Sequence, residues 1–431
     1  MARWTVQQVS EAAPDAASVT AARKLARPGP WSQTGSTDAL VWGTCQGSGK
    51  TPYQVSVDLL RPAYRCSCPS RKFPCKHALA LLLMWADPDS VVTQEQDAAD
   101  FAAQWAAKSA AQQQDRAARA ATPPDPAAQA KRLAARLELM DNGIEDFGRW
   151  LTDLARTGTA AAKAQPLSWW DGIAARLVDA QVPGLAEQVR DAASDINSHD
   201  DWPDRLLAHL GRWWLTVRAW QRRDELDADT MADLRVVLGW AMPADEVRAN
   251  DQVTDTWRVL GAYRNEQGRL AEQRTWFWGE TTGELLVVLD FAGGGQALPV
   301  PQTVGAGFTA TMARYPGHGQ RRALLASDPM RSEQPIALPR AGAPDDLLQG
   351  YADLMAVNPW AQRYAGVLHD ARLSRTQVIG HDGAALALTQ DTDPIPMLAA
   401  TGGAPTTIFG EWQGNRFRPL ACFDDVGAVI V

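Results

Sequence analysis

Polar and apolar residues alternate in YQVSVDL, where Tyr53, Val55 and Val57 interleave with Gln54, Ser56 and Asp58. A period of two predicts a half-buried strand. LVWGTC lies just before it across Gly47-Ser48-Gly49, so the two segments are expected as a hairpin. The apolar run ALALLLMWA that follows His77 reads as a helix ending at Asp87-Pro88. A weaker helix is expected around Asp15–Ala26, stopped by Pro28-Gly29-Pro30.

Between Ala127 and Met242 the period changes. DFGRWLTDLAR, SWWDGIAARLVDAQ, RLLAHLGRWWLTVRAWQRR and MADLRVVLGWAM place apolar residues at helical spacing. Pro183-Gly184, Asn197 and Pro243 punctuate them, and short loops favour antiparallel packing into a bundle. No repeat period supports a regular solenoid. After about Gln252 the pattern returns to strands. TWRVLGAY, RLAEQRTWFW and ELLVVLDF are separated by the turns NEQG and ETTG. A second β-rich stretch holds TQVIG-HDG-AALALTQ and TTIFGEWQGNRFRPLACF, and DDLLQGYADLMA between the two stretches reads as one helix stopped by Pro359.

The fold class is therefore α+β and multidomain. A lead-in over 1–39 precedes a ββα unit over 40–87, and an Ala-rich linker or frayed helix follows over 88–126. An α-helical domain over 127–251 comes next, then a mostly antiparallel β domain with an inserted helix over 252–431. A chain of 431 residues exceeds one comfortable core, which agrees with several domains. No apolar run approaches the roughly 20 residues of a bilayer span. MARWTVQQVSEAAPD lacks the basic-then-apolar pattern of a secretory signal, so a cytoplasmic protein without membrane attachment is expected. The Arg- and Ala-rich composition suits a GC-rich bacterial source.

Charge and cysteine sharpen one region only. The net charge is −8, yet residues 1–86 carry ten Lys or Arg against four Asp or Glu, or +6, leaving −14 elsewhere. Of the five cysteines, Cys66, Cys68 and Cys75 fall within ten residues in YRCSCPSRKFPCKHALALLL. Such spacing in a long chain is no disulfide framework. Cys66 and Cys68 sit two apart, so an extended chain points both side chains the same way. Cys75 and His77 repeat that spacing at the mouth of the apolar helix, beyond Pro69 and Pro74. Three thiolates and one imidazole form a tetrahedral set that suits Zn²⁺, and four protein ligands make the site structural rather than hydrolytic. The bland alternative is three buried cysteines and a capping histidine. One structural Zn²⁺ is expected, with Arg65, Arg71, Lys72 and Lys76 offsetting the anionic centre.

Cys66-x-Cys68 followed by Cys75-x-His77, at the mouth of a helix and after a hairpin, resembles the SWIM zinc finger, whose pattern is C-x-C-x(n)-C-x-H on a ββα unit. The neighbouring CQGSGKTPY and CSCPSRKFPCKH are similar to the form found in uncharacterised bacterial SWIM proteins, over residues 40–86. The resemblance implies zinc binding and a finger that binds protein or DNA. It further implies partners among MoxR-type AAA+ ATPases and von Willebrand A-domain proteins.

Other motifs carry less. Gly49-Lys50-Thr51 imitates a P-loop, but the Gly required five positions before Gly49 is Thr44, and Pro52 and a strand follow where a helix must begin. ELLVVLD, ending at Asp290, imitates a Walker B strand, and AGGGQ reads as a loop, so no nucleotide is expected. Cys45 and Cys422 read as packed thiols. His318, His369 and His381 read as turn or surface residues, without a nucleophile pattern beside them. Trp169-Trp170 and Trp213-Trp214 read as core packing before stacking platforms. The functional expectation is a non-enzymatic, zinc-stabilised protein-binding protein. The alternative is DNA binding through a basic finger face of Lys50, Arg61, Arg65, Arg71, Lys72 and Lys76, against which the acidity of the remaining chain works. An enzyme in the C-terminal β region is a third reading, resting only on that region having no other assigned role.

Overall fold

The computed structural model describes residues 6, 9, 12–14, 16–47, 49, 51–59, 63–70, 74–87, 91–95, 97–108, 125–267, 270–293, 298–299, 303–332 and 337–424. They group into two compact units, one from residues 1–123, 262–275 and 289–303, the other from 124–261, 276–288 and 304–431. The fold is α+β, with helices and strands segregated along the chain as the changes of period predict.

In the first unit, β1 (Trp31–Ser36), β2 (Leu40–Cys45), β3 (Tyr53–Asp58) and β4 (Ala63–Cys66) form an antiparallel sheet in chain order. The expected hairpin is present, with Cys45 opposite Tyr53 and Val41 opposite Val57. Helix α1 (Ala16–Leu25) and helix α2 (Lys76–Ala86) follow the sequence reading. On one face of the sheet Val41, Val55 and Val57 join Leu79, Leu81 and Leu82 of α2 in a core. The opposite face is covered as well. Leu40 and Trp42 pack with Ala102, and with Phe101 and Trp105 of the helical stretch 100–108. Part of the region expected as a linker or frayed helix is thus a docked element, its apolar residues spaced by three and four. Consequently Ser56, opposite Trp42, is buried together with Val55 and Val57, and the half-buried reading of this strand is corrected. The Ser56 hydroxyl finds no partner among the described residues.

The second unit opens with helices α3 (Pro126–Thr157), α4 (Thr159–Lys163), α5 (Leu167–Asp179), α6 (Pro183–Ser198), α7 (Trp202–Gln221) and α8 (Ala228–Leu238), and α9 (Ala244–Ala249) follows. Met140, Ile144, Phe147 and Leu151 line the inner face of α3, at the spacing that holds one helix side. They meet Trp170 and Leu177 of α5, Val189 and Ile196 of α6, and Trp213 and Trp220 of α7. Phe147 stacks on Trp150 at 5.3 Å and meets Trp213 edge-on at 5.8 Å. Two of the buried indoles have paired N–H groups, Trp220 donating to Asp141 (2.7 Å) and Trp213 to Gln188 (3.2 Å), while the Trp150 N–H is buried without a partner among the described residues. Gly239 ends α8 at φ +76°, and a Cβ on Gly184 would come within 2.3 Å of the Val237 carbonyl. The two backbones touch there, which only glycine permits.

One core residue comes from far outside the helices. Trp360 is buried in the bundle core, where its indole N–H donates to the Thr216 hydroxyl at 2.9 Å.

The strands after residue 251 form two sheets. In the first, β5 (Gln252–Gln267), β6 (Leu270–Gly279) and β7 (Leu285–Gly293) run as neighbours, flanked by β8 (Gly307–Arg314), β9 (Arg322–Leu325) and β10 (Met330–Ser332). Strand β9 pairs with β7 in parallel and with β8 antiparallel, and β8 pairs with β5, so five strands close on themselves in the order β5-β6-β7-β9-β8. OB-type Greek-key barrels share this connectivity. Trp257, Val259, Phe277 and Met312 are buried in its core. In the second sheet, β11 (Arg363–Leu373) lies between β12 (Gln377–Ile379) and β14 (Thr406–Gln413), with β13 (Ala385–Ala387) and β15 (Arg416–Phe423) at the edges. Gly414 and Asn415 both have positive φ, the requirement of a tight I′ turn between β14 and β15. The inserted helix is α10 (Pro344–Val357), anchored by Leu347. The two sheets meet where Trp276 of β6 donates to the fully buried Glu411 of β14 at 3.1 Å and packs edge-on against Phe409.

Among the described residues, no helix is long and apolar enough to cross a membrane.

Candidate metal centre

The antiparallel register of β3 and β4 sets Cys66 opposite Val55, at the C-terminal end of β4. Beyond the strand, Ser67 is pinned twice to β3. Its N–H donates to the Gln54 carbonyl (3.0 Å), and its hydroxyl accepts the Gln54 N–H (3.0 Å). Cys75 caps α2 with an extended backbone (φ −72°, ψ 164°), and its carbonyl accepts the Leu79 N–H. His77 follows in the first turn, buried with Cys75.

The four predicted side chains converge. One ligand atom from each of Cys66, Cys68, Cys75 and His77 lies within 4.8 Å of the other three. The Cys66 and Cys75 sulfurs stand 3.8 and 4.0 Å from His77 Nδ1. Zn–S and Zn–N bonds of ordinary length place the corners of a tetrahedron about 3.6–3.8 Å apart. The cluster has the size and donor chemistry for one such ion. With Nδ1 turned toward the sulfurs, that nitrogen would ligate the ion, and the imidazole proton would then sit on Nε2. The Tyr53 ring, 5.0 Å from the imidazole centre, packs against it and restricts its rotation.

Backbone amides complete the site. The Cys68 N–H donates to the Cys66 sulfur, the Ser70 N–H to the Cys68 sulfur, and the His77 and Ala78 N–H groups to the Cys75 sulfur. Each C-x-C or C-x-H pair thus uses the amide two residues on to support the first thiolate. A hydrogen bond from the Cys66 thiol, aided by His77 and the two amides at the helix start, brings Cys75 down to about 4. The same bond to Cys75, together with burial, raises Cys66, and burial raises Cys68. An ion entering here displaces protons chiefly from Cys66 and Cys68, so metal affinity falls as pH falls.

The remaining predicted residues divide. Arg65 and Lys76 are exposed beside the cluster. Lys50, Arg61, Arg71 and Lys72 lie outside the described residues. Cys45 and Cys422 are fully buried thiols, raised by burial, as expected of packing residues.

Asp227, Asp229 and His318 also bring ligand atoms within 4.8 Å of one another, a grouping that local sequence does not announce. Hydrogen bonds account for it. Asp227 caps α8 through the Asp229 and Thr230 amides (3.0 and 2.9 Å), and His318 Nδ1 donates to Asp233 (2.8 Å). The positive end of a helix is a poor place for a cation. His318, expected as a turn or surface residue, lies in a turn and also fastens the β8–β9 loop to α8.

Two family profiles match the chain. One describes the SWIM zinc finger and covers residues 53–86. The other describes the SWIM-associated four-helix bundle domain and covers residues 135–238. No curated protein and no solved structure matches. The chain therefore contains a SWIM zinc finger and the helical bundle domain associated with it. The finger profile begins at Tyr53, so β1 and β2 extend the sheet beyond it.

Proposed function

We propose that this chain is a non-catalytic interaction protein whose finger, folded around one structural Zn²⁺, docks a protein partner. Cys66, Cys68 and Cys75 serve as thiolate ligands and His77 binds through Nδ1. The observation that carries this reading is the closed Cys₃His cluster. Four protein donors around one point leave no coordination position for substrate or water, so the metal's contribution is to folding. A MoxR-type AAA+ ATPase or a von Willebrand A-domain protein is the partner to test first. A cytoplasmic setting, where thiols stay reduced, suits the site.

The competing reading is DNA binding through Arg65 and Lys76, with Lys50, Arg61, Arg71 and Lys72. Its support is the exposure of the first two. OB-type barrels bind oligonucleotides on their second and third strands and on the loops between the first and second and between the fourth and fifth. Two of these surfaces are engaged within the chain. Here β6 carries Trp276 against the second sheet, and the β8–β9 loop is held to α8 by Asp233.

Native mass spectrometry and calorimetry separate these readings. One zinc per chain is expected, lost in the Cys66→Ser/Cys68→Ser double variant, and full zinc in that variant refutes the ligand set. Binding of the purified ATPase is expected to vanish with chelator. A partner that binds equally well without zinc removes the finger from the interface. Duplex DNA affinity that falls steeply with salt and disappears on Arg65→Glu/Lys76→Glu establishes the nucleic-acid reading instead.

A further inference from the structure

Helix α7 is apolar on two sides. Its inner side places Leu206, Trp213, Val217 and Trp220 in the bundle core. Its outer side is exposed at Asp204, Leu207, Ala208, Gly211, Trp214, Leu215 and Arg218. Leu207 is 64% exposed, Trp214 46% and Leu215 39%. A surface helix needs one apolar stripe to join its own core. The second stripe here is contiguous, since these residues recur every three or four positions, and it has no partner within the chain's described residues.

The order of residues along this stripe says what covers it. Around Gly211 the outer face is self-complementary in the antiparallel direction. Three positions either side stand Ala208 and Trp214, four either side Leu207 and Leu215, and seven either side Asp204 and Arg218. We propose that a second copy of this chain covers the face, through α7 packed antiparallel on α7 about a two-fold axis at Gly211. In that arrangement each Trp214 lies over the small Ala208 of the other copy, Leu207 meets Leu215, and Asp204 pairs with Arg218 twice. Such contacts are isologous, as a two-fold dimer requires. A Cβ on Gly211 would meet nothing within 4 Å among the described residues, so no packing among them forces its glycine. At the axis it lets two helix backbones come close. Among the described residues, the Arg218 guanidinium donates to Gln221, at the surface.

A single helix face buries less than the roughly 1,200–2,000 Å² of a standard stable interface, so the dimer is weak and reversible. Sedimentation equilibrium of the full-length chain over about 1–100 μM is expected to show a monomer–dimer equilibrium. Asp204→Arg and Arg218→Asp each place like charges at both ends, and each variant alone is expected to be monomeric over that range. Mixed in equal amounts, they restore opposite charges at both ends and are expected to dimerise again, which also shows that both are folded. Trp214→Glu is expected to abolish dimers, with the bundle's helical circular dichroism retained. A wild-type chain that stays monomeric throughout overturns the proposal. So do dimers indifferent to either charge reversal, and two monomeric variants that fail to associate on mixing.

Discussion

The finger and the helical bundle both order a chain that has entropy to lose, and they do so with different materials. The bundle interlocks Phe147, Trp170, Trp213 and Trp220, large side chains whose burial alone stabilises each helix against its neighbours. Among its described residues, the segment from Cys66 to Cys75 buries no aromatic side chain. Cys75 is buried and Cys66 and Cys68 are partly so, and three thiolates in one place repel unless a cation joins them. Packing is spread over many residues, so each loss is partial. Ligation is concentrated in four, so the loss of one removes most of the benefit.

The largest test of that contrast is metal removal. Chelation, or Cys75→Ser, is expected to release structure around residues 64–77, because structural zinc sites contribute roughly 10 kcal/mol to folding. Hydrogen exchange should rise there while α3 and α5–α7 keep their protection. Uniform loss of protection across the chain would show that the bundle depends on the metal as well.

Next in size is Trp213→Ala. An indole deleted from a packed core costs about 3–5 kcal/mol, and the Gln188 carbonyl also loses its donor. The bundle's thermal transition should fall, and zinc stoichiometry should stay the same.

The smallest effect concerns pH. The Asp233 carboxylate holds His318 above the ordinary imidazole range, and burial pushes Asp233 itself up despite the imidazole. A raised histidine stabilises fully below its unfolded value of about 6.5, and that gain is lost as pH climbs through the folded value. The raised carboxylate has the same sign, but its contribution is lost from its unfolded value of about 3.9 upward, on the acid side of the histidine's window. Stability should therefore decline from about pH 6.5 upward by ~1 kcal/mol or less, given that both groups keep some exposure. His318→Gln should flatten this slope, as read by urea denaturation at pH 6 and pH 8.5. An unchanged slope would assign it to other groups.

The metal centre was legible because its information is local. Two pairs at a spacing of two, a bend and a helix start lie within twelve residues, Cys66 to His77. The helices and the β hairpins were legible as periods. What escaped depends on which distant element covers a face. Ser56 reads as exposed until the helical stretch 100–108 docks beyond Trp42. His318 reads as a turn residue until α8, 85 residues away, supplies Asp233. Of the paired tryptophans, Trp213 is core and Trp214 is not. Adjacent positions on a helix differ by about 100° in direction, and only the neighbours decide which one is buried.

Trp360 carries a practical lesson about where a domain ends. The family's bundle stops at residue 238, yet its interior is finished by an indole supplied 122 residues later. A fragment cut to the profile's limits would hold a vacant slot of one aromatic side chain, floored by apolar atoms and with the Thr216 hydroxyl as acceptor. Such a slot is a receptor for small aromatic molecules. Free indole added to the fragment should restore part of the lost stability, as a detached piece of the protein's own chain.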